Sequence, residues 1–298
     1  MNNEVKKVLF IVNKFSGGGY QPALEGNILA ACKKYGVACA IEFTKVQGHA
    51  TTLAREAIGS FDKVIAVGGD GTVNEVAQGL LHSPVVMGIL PKGSGNGLAR
   101  HLRIPTKITQ ALECLFNSQV IAMDTFLIND KLSLNVSGIG FDGHIANLFK
   151  GDKTRGFHGY TKLTLSEFIQ FSEFEADISI GNILLKKKAF VIAIANSSQY
   201  GNNALIAPEA SVCDSLLHIS ILKKMPPYRL DFIYSFFAGT IGKSEYCEII
   251  EARDLIIQLQ SQIPYHIDGE PGGMADRFVI KMIPASIHML APSNISHP

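Results

Sequence analysis

Residues 68–75, with the sequence GGDGTVNE, place glycines, a carboxylate and polar side chains between a strand-like apolar run and an amphipathic helical pattern. Glycines let backbone N–H groups approach a phosphate closely, and a helix N-terminus adds partial positive charge. The Asp70 carboxylate would repel a phosphate unless a cation lay between them, so the segment favours a metal–nucleotide complex over a simple anion. Thr72 and Glu75 have the spacing of a capping box and predict a helix that begins near Thr72. A strand-to-helix turn that needs only glycine and a cap is the alternative.

Two more glycine-rich segments follow strand-like runs, NKFSGGG at residues 13–19 and PKGSGNG at residues 91–97. The carboxyl ends of parallel strands meet at one edge of a sheet, where ligands bind. We therefore expect the three segments to form one floor for a polyphosphate. None of them has the GxxxxGK(S/T) pattern of a P-loop, and no GxGxxG segment opens a helix, so those two nucleotide-binding folds are disfavoured.

A fourth candidate segment, IDGE at residues 267–270, carries two carboxylates. Phosphoryl transfer to an alcohol needs a carboxylate that accepts the hydroxyl proton. Asp268 and Glu270 are two residues apart and could point the same way from a strand end, with His266 on the same face. A strand that ends in an Asp-Gly turn with a solvated Glu is an equally good interpretation.

Local patterns divide the chain into two parts. Strand-like runs at residues 8–12, 37–43, 63–67 and 85–90 alternate with helical periodicity, which predicts a parallel sheet with helices on both faces. After residue 124, strand-like runs follow one another directly. We expect an α/β domain over residues 1–124, which would hold the nucleotide, and a β-rich domain over residues 125–286, with residues 287–298 returning to the first domain.

The second part predicts an antiparallel sandwich or barrel, and we take the sandwich as the expected fold. Residues 178–185 are typical of a hairpin about Gly181 and Asn182. Two helical interruptions are expected, at residues 160–171 and 228–238. The remaining predicted strands are residues 190–195, 217–222, 247–251, 255–260, 265–268 and 278–283.

Composition excludes several classes of protein. The 298 residues carry 27 Lys plus Arg and 26 Asp plus Glu, a net charge of +1, without the strongly basic character of nucleic-acid-binding proteins. Although 47% of the residues are apolar, no run reaches the roughly 20 residues of a membrane span. The short apolar run after Lys7 does not suit a signal peptide. Five scattered cysteines predict neither a zinc site nor disulfides, so we expect a cytoplasmic location.

The glycine-rich segments, together with GSGNGLAR, NVSGIGFDGHIA (residues 135–146) and IDGE, resemble the diacylglycerol kinase catalytic-domain family. That family includes bacterial diacylglycerol-type lipid kinases and the sphingosine and ceramide kinases. The resemblance covers essentially the whole chain in order. GGDG alone is shared with NAD kinases and phosphofructokinases, whereas the later segments are not. The resemblance implies an NAD-kinase- or phosphofructokinase-like N-terminal domain and a mostly antiparallel β-sandwich C-terminal domain, which makes residues 125–286 the lipid-substrate domain.

The resemblance also implies roles for individual residues. Glu270 would be the general base with Asp268 beside it, while Asp70 would be a magnesium–nucleotide ligand or the rival base. The implied ATP-binding residues are Asn13, Thr44, Gly68, Gly69, Asp70, Gly71, Thr72, Val73, Asn74, Gly93, Ser94 and Asn96.

A structural magnesium ion is implied in the second part of the chain. Asp214 would supply a carboxylate, with backbone carbonyls near Ser211 and Leu216. Ser215 occupies the position where the family has Gly. Whether the metal site is kept therefore depends on whether Ser215 adopts the backbone conformation of that Gly.

These observations predict an enzyme that uses ATP and Mg²⁺ to phosphorylate a hydroxyl of a lipid such as diacylglycerol or a sphingoid base. The alternatives are a soluble-metabolite kinase similar to NAD kinase and a non-catalytic nucleotide-binding regulator. Aromatic side chains in residues 160–174 and 228–237 either line a lipid slot, rest at a bilayer or form plain core. Expected partners are ATP, a lipid and a transiently visited membrane surface, but no nucleic acid; a homodimer is left open.

Overall fold

The computed structural model describes residues 7–17, 19, 21–148, 166–226 and 228–293. The chain divides into two compact units. The first contains Met1–Thr125 and Pro284–Pro298, and the second contains Phe126–Ile283. Among the described residues, no helix combines the length and apolar character needed to cross a bilayer.

The first unit alternates strands and helices. In chain order its elements are β1 (Lys7–Val12), α1 (Ala23–Tyr35), β2 (Ala38–Phe43), α2 (His49–Glu56), β3 (Lys63–Gly68), α3 (Asp70–Leu80), β4 (Val86–Pro91), α4 (Gly97–His101) and α5 (Ile108–Phe116). Two long strands, β5 (Ser118–Ile128) and β16 (Glu270–Pro292), contribute residues 118–125 and 284–292.

Strands β1 to β4 form the predicted parallel sheet. The order is β4-β3-β1-β2, and every pair is parallel. The end of β16 also pairs with β4 in parallel, with Met289 opposite Met87. All residues of β3 after Lys63 are buried, as expected for a strand covered on both faces. The predicted α/β fold of this part is confirmed, and the carboxyl ends of β1, β3 and β4 lie at the same edge.

The predicted capping box at the start of α3 is wrong. The helix begins at Asp70, so Thr72 lies inside its first turn, and no side chain caps Gly69 at the N-cap position. Glu75 instead accepts hydrogen bonds from the backbone N–H groups of Gly48 (2.8 Å) and Ala50 (3.2 Å). Its carboxylate therefore caps the neighbouring helix α2, a contact between segments that local spacing does not reveal.

The second unit is built mostly of antiparallel strands. Its further strands are β6 (Lys131–Ser133), β7 (Val136–Gly140), β8 (Phe174–Ile180), β9 (Ile183–Ala189), β10 (Val191–Ala195), β11 (Gln199–Gly201), β12 (Ala204–Leu205), β13 (Leu217–Leu222), β14 (Cys247–Ala252) and β15 (Asp254–Ile267). Its helices are α6 (Phe141–Leu148), α7 (Leu230–Ala238) and a 3-10 turn (Ile241–Lys243).

Strand β15 links the two layers of this unit. Residues 256–259 pair with β8, which in turn pairs with β9. Residues 265–266 pair with β7, which continues through β10 and β13 to β14. The pairing of β15 with β16 shifts register between Gln258 and Ile263, and this irregularity lets one strand serve both layers. The predicted β-sandwich is confirmed.

Two sequence predictions differ from the structure in detail. Residues 255–260 and 265–268 were expected as separate strands, but β15 runs through both because the exposed stretch between them is a bulge rather than a loop. Of the helix expected at residues 160–171, residues 166–170 are helical, and residues 160–165 lie outside the described part of the chain.

Candidate functional site

Backbone packs directly against backbone where the loops after β3 and β4 meet. A Cβ atom added to Gly93 would lie 2.6 Å from the Cα atom of Gly69. The Lys92 N–H donates to the Gly68 carbonyl at 2.7 Å. Because any side chain at residue 93 would push the loops apart, Gly93 is required by this close approach.

Asn13 ties the loop after β1 to the start of α3. Its Nδ2 atom donates to the Thr72 Oγ1 atom at 3.0 Å, and its Oδ1 atom accepts from the Phe15 N–H at 2.9 Å. The Asn13 N–H donates to the Val67 carbonyl of β3. The first glycine-rich segment is thereby held beside the N-terminus of α3.

Asp70 connects α3 to the loop after β4, the third of the glycine-rich loops in chain order. Its Oδ1 atom accepts the N–H of Gly97, the first residue of α4, at 2.8 Å. Within that loop, Asn96 adopts a left-handed conformation with φ of 51°. The Asn96 side chain accepts from the Gly93 N–H at 2.9 Å and donates to the Gly93 carbonyl at 2.8 Å. The loop is therefore closed by its own amide side chain and anchored by the Asp70 carboxylate.

Lys92, which sequence reasoning did not single out, joins the first and third loops. Its Nζ atom donates to the carbonyls of Ser16 at 2.7 Å and Gly19 at 2.6 Å. Burial lowers the pKa of the Lys92 ammonium. Gly17 is left-handed at φ of +61°, and a Cβ atom there would overlap the Lys92 carbonyl oxygen. A lysine directly after a strand and inside a glycine-rich segment is the signal that could have identified it.

The predicted ATP-binding residues all belong to the first unit. Residues 70–74 lie at the start of α3, and the others except Thr44 lie on the three loops or, like Gly68, at the end of β3. Thr44 follows β2, is buried and donates its N–H to the Val12 carbonyl at 3.0 Å. Ser94 is exposed at the tip of the third loop. Asn74 accepts a hydrogen bond from Gln78 at 2.6 Å. Together the loops place glycine backbone, one carboxylate and polar side chains around the N-terminus of α3.

In the second unit, the IDGE segment forms a two-residue turn between β15 and β16. Asp268 and Gly269 have φ values of 48° and 86°, the signs that a type I′ hairpin turn requires. Asp268 is buried and accepts the Ser133 hydroxyl at 2.6 Å and the backbone N–H groups of Leu134 (2.9 Å) and Asn135 (3.0 Å). Its carboxylate therefore holds the connection between β6 and β7.

Glu270 lies in a different environment. Its side chain is exposed, and among the described residues it has no hydrogen-bond or ion-pair partner. The sequence left two interpretations open: Asp268 and Glu270 pointing the same way from a strand end, or an Asp-Gly turn with a solvated Glu. The turn gives them opposite environments, with Asp268 enclosed in the fold and Glu270 open to solvent.

His266 continues the polar network behind this turn. Its Nδ1 atom accepts the Gly269 N–H at 3.1 Å, and its Nε2 atom lies 3.2 Å from the Asp142 carboxylate. Tyr200 donates its hydroxyl to the same carboxylate oxygen at 2.9 Å. Burial and the neighbouring Asp142 raise the pKa of the Tyr200 phenol well above its usual range. Sequence analysis placed His266 near the carboxylates but did not pair it with Asp142.

Comparison with known proteins assigns both units. Residues 7–128 match the diacylglycerol kinase catalytic domain, and residues 136–291 match the YegS C-terminal NAD kinase beta sandwich-like domain. The chain belongs to the diacylglycerol kinase catalytic-domain family of lipid kinases. A "Probable lipid kinase YegS-like" from Pectobacterium atrosepticum is 30% identical over 275 residues, 89% of this chain and 90% of that protein. One of the same description from Yersinia enterocolitica is 30% identical over 281 residues, 90% of this chain and 92% of that protein.

Solved structures share the fold of this kinase. The crystal structure of a diacylglycerol kinase from Bacillus anthracis str. Sterne superposes with a TM-score of 0.75 at 22% identity, covering 98% of this chain and 99% of that one. Another structure from the same organism reaches a TM-score of 0.79 at 23% identity, with the same coverage.

The loop that the family resemblance assigns to magnesium has one carboxylate. The Asp214 Oδ1 atom accepts the Leu216 N–H at 3.0 Å, and the Ser211 hydroxyl oxygen accepts the Cys213 N–H at 3.2 Å. Ser215 has φ of 60°, so it keeps the left-handed backbone for which Gly is favoured. Over the described ranges, no three His, Cys, Asp or Glu side chains cluster in a way that could hold a metal ion. The Asp214 carboxylate is the kind of oxygen donor that Mg²⁺ prefers.

The aromatic residues expected on the lipid side divide into two groups. Phe168, Phe171 and Phe236 pack against a core cluster that includes the buried Phe232. The exposed ones, all in or near α7, are Tyr228, Tyr234 and Phe237. The three lysines of β9, which could meet anionic headgroups, each lie beside a carboxylate instead. The pairs are Lys186–Asp177 (4.0 Å), Lys187–Glu248 (2.6 Å) and Lys188–Glu173 (3.1 Å).

Proposed function

We propose that this kinase transfers the γ-phosphate of Mg-ATP to a hydroxyl group of a lipid such as diacylglycerol or a sphingoid base. The observation that carries the proposal is the convergence of three glycine-rich loops on the N-terminus of α3, with Asp70 at its first residue. Glycine-rich backbone at a helix N-terminus suits the phosphates of a nucleotide. Membership of a lipid kinase family supports a lipid as the acceptor.

The proposed ATP site uses the residues named from the sequence. Residues 68–74 face the phosphates, with Asn13, Thr44 and Ser94 as neighbouring contacts. Magnesium, which accompanies ATP, neutralises charge on the phosphates. The proposal assigns Asp70 both to this cation and to the anchoring of the loop through the Gly97 N–H.

Glu270 is the proposed general base. Its carboxylate accepts the proton of the lipid hydroxyl as that oxygen bonds to the γ-phosphorus, and the bond from phosphorus to the departing ADP oxygen breaks. Two observations support Glu270 over Asp70. The Glu270 carboxylate is exposed to an incoming substrate, whereas one oxygen of Asp70 is committed to the Gly97 N–H.

A transient membrane surface is the proposed place of action. Exposed aromatic side chains suit the interface between water and lipid, and Tyr234 and Phe237 are exposed by 70% and 57% on the same helix, α7. A structural magnesium ion at Asp214 also belongs to the proposal, since the loop retains its left-handed residue at Ser215.

The test is a transfer assay with purified protein, radiolabelled Mg-ATP and a panel of acceptors. The panel contains diacylglycerol, a sphingoid base and phosphatidylglycerol in mixed micelles, with NAD as the soluble acceptor. We expect labelled phosphate in at least one lipid and none in NAD. Label in NAD alone would favour a soluble-metabolite kinase, and ATP binding without transfer to any acceptor would favour a regulator.

A further inference from the structure

The turn that carries Glu270 is held from two sides. Asp268 is fixed by three donors from residues 133–135, and the Gly269 N–H is fixed by the Nδ1 atom of His266 at 3.1 Å. Glu270 is the next residue, paired across the hairpin with Ile267. The direction in which Glu270 leaves the turn therefore depends on the peptide unit that His266 holds.

This hydrogen bond shows which nitrogen of His266 carries the proton. A nitrogen that accepts from a backbone N–H has no hydrogen of its own, so the proton of the neutral ring lies on Nε2. The Nε2–H group donates a hydrogen bond to the Asp142 Oδ2 atom at 3.2 Å. The Tyr200 hydroxyl donates to the same oxygen at 2.9 Å. The opposite tautomer would set an N–H of the ring against the N–H of Gly269.

Two glycines keep Asp142 and His266 in this arrangement. A Cβ atom on Gly138, which lies opposite His266 in the β7–β15 ladder, would overlap the Asp142 carboxylate. A Cβ atom on Gly143 would overlap the backbone of Tyr265, so helix α6 lies directly against β15 next to the histidine. His266 is only 3% exposed, which leaves its ring little freedom to reorient.

We infer that Asp142 and His266 are positioning residues. Asp142 holds His266 in the tautomer that carries its proton on Nε2. The unprotonated Nδ1 atom then accepts the Gly269 N–H and orders the peptide that orients Glu270. The inference rests on the proposed role of Glu270 as the base. Neither residue touches the reacting atoms; each acts on the turn.

Isosteric variants separate the two hydrogen bonds of His266. His266→Asn places an amide oxygen near the position of Nδ1 and can still accept the Gly269 N–H. His266→Gln places its amide near Nε2 and leaves Gly269 without an acceptor. Asp142→Asn presents an amide N–H₂ to the ring, so it favours the opposite tautomer while preserving shape.

The first readout needs no activity. Nitrogen NMR of the wild type should show an unprotonated Nδ1 in His266, and hydrogen exchange at the Gly269 amide should be slow. Exchange should accelerate in His266→Gln and Asp142→Asn but stay slow in His266→Asn. A protonated Nδ1 in the wild type, or equal exchange in the two His266 variants, would overturn the inference.

The second readout is the split between kcat and the KM for ATP. We expect kcat to fall roughly 10- to 100-fold in His266→Gln and Asp142→Asn, as for a slightly misplaced catalytic group, with an unchanged KM. His266→Asn should retain most of the activity. Unchanged kcat in His266→Gln would overturn the positioning role. If Glu270→Gln keeps full turnover, the proposed base fails, and the tautomer and exchange results still decide whether Asp142 and His266 order the turn.

Discussion

The Asp70 carboxylate accepts the backbone N–H of Gly97 at 2.8 Å, so the acid at the start of α3 also holds the start of α4. The two residues are 27 positions apart and belong to the second and third glycine-rich segments. This hydrogen bond makes Asp70 a part of the scaffold of the nucleotide loops in addition to its proposed role toward the cation.

Two substitutions of Asp70 separate these roles. Asp70→Asn keeps an oxygen for the Gly97 N–H, so the free energy of unfolding should change by less than about 1 kcal/mol. Loss of the charge should lower kcat/KM by roughly 100-fold. Asp70→Ala should lose activity and also about 1–3 kcal/mol of stability, because Gly97 loses its acceptor. Urea unfolding and the transfer assay measure the two effects. Wild-type turnover in Asp70→Asn would restrict Asp70 to the scaffold.

Gly93→Ala should damage nucleotide binding. The added Cβ atom would lie 2.6 Å from the Gly69 Cα atom, so the loops after β3 and β4 must separate. We expect ATP affinity, measured by calorimetry, to fall at least roughly tenfold, which corresponds to about 1.4 kcal/mol. Gly26→Ala in α1 is the matched control, since nothing lies within 4 Å of its added Cβ atom. Equal affinities of the two variants would contradict the close packing.

Lys92→Met should weaken ATP binding without abolishing transfer. The variant keeps the length of the side chain but removes both hydrogen bonds from Nζ to the Ser16 and Gly19 carbonyls. We expect the KM for ATP to rise roughly tenfold with kcat nearly constant, because the loop must be ordered again on binding. Lys92→Arg, which can donate to both carbonyls, should recover part of the loss. A fall in kcat alone would indicate that Lys92 contacts the transferred phosphate instead.

The sheet and its loops could be predicted because they depend on local patterns. The apolar runs of β1, β3 and β4 and the glycines behind them are visible in a few residues each. The partners of the polar groups could not be predicted, because folding brings them together from distant segments. Asp142 and His266 are 124 residues apart, and Asp268 and Ser133 are 135 apart. Glu75 has the spacing to cap its own helix, yet it caps α2, since the tertiary contact satisfies two N–H groups at once.

Acid should destabilise the protein through His101. Burial, together with the charge of Arg103, lowers the pKa of His101 from 6.5 to about 4. Between these values the unfolded chain binds more protons than the folded one, so this contribution to stability is present above pH 6.5 and is lost as the pH falls through about 4. From neutral pH to about pH 5, the loss should be about 2 kcal/mol. In His101→Gln, the free energy of unfolding measured with urea should depend less on pH than in the wild type. Parallel plots of unfolding free energy against pH for the two proteins would contradict the assignment to His101.

Replacing the carboxylate by an amide should lower stability at Asp268 and turnover at Glu270. Asp268→Asn presents an N–H₂ group to donors in a buried site, so it should lose about 1–3 kcal/mol of unfolding free energy. Glu270→Gln changes an exposed side chain without a partner among the described residues, so stability should stay within about 0.5 kcal/mol. Its turnover should nevertheless fall by roughly 100-fold or more with ATP affinity intact, because the proposed proton acceptor is gone. Calorimetric ATP titration, thermal unfolding and the transfer assay on both variants distinguish the residue that builds the turn from the residue that performs the chemistry. Full turnover in Glu270→Gln would move the role of base to Asp70.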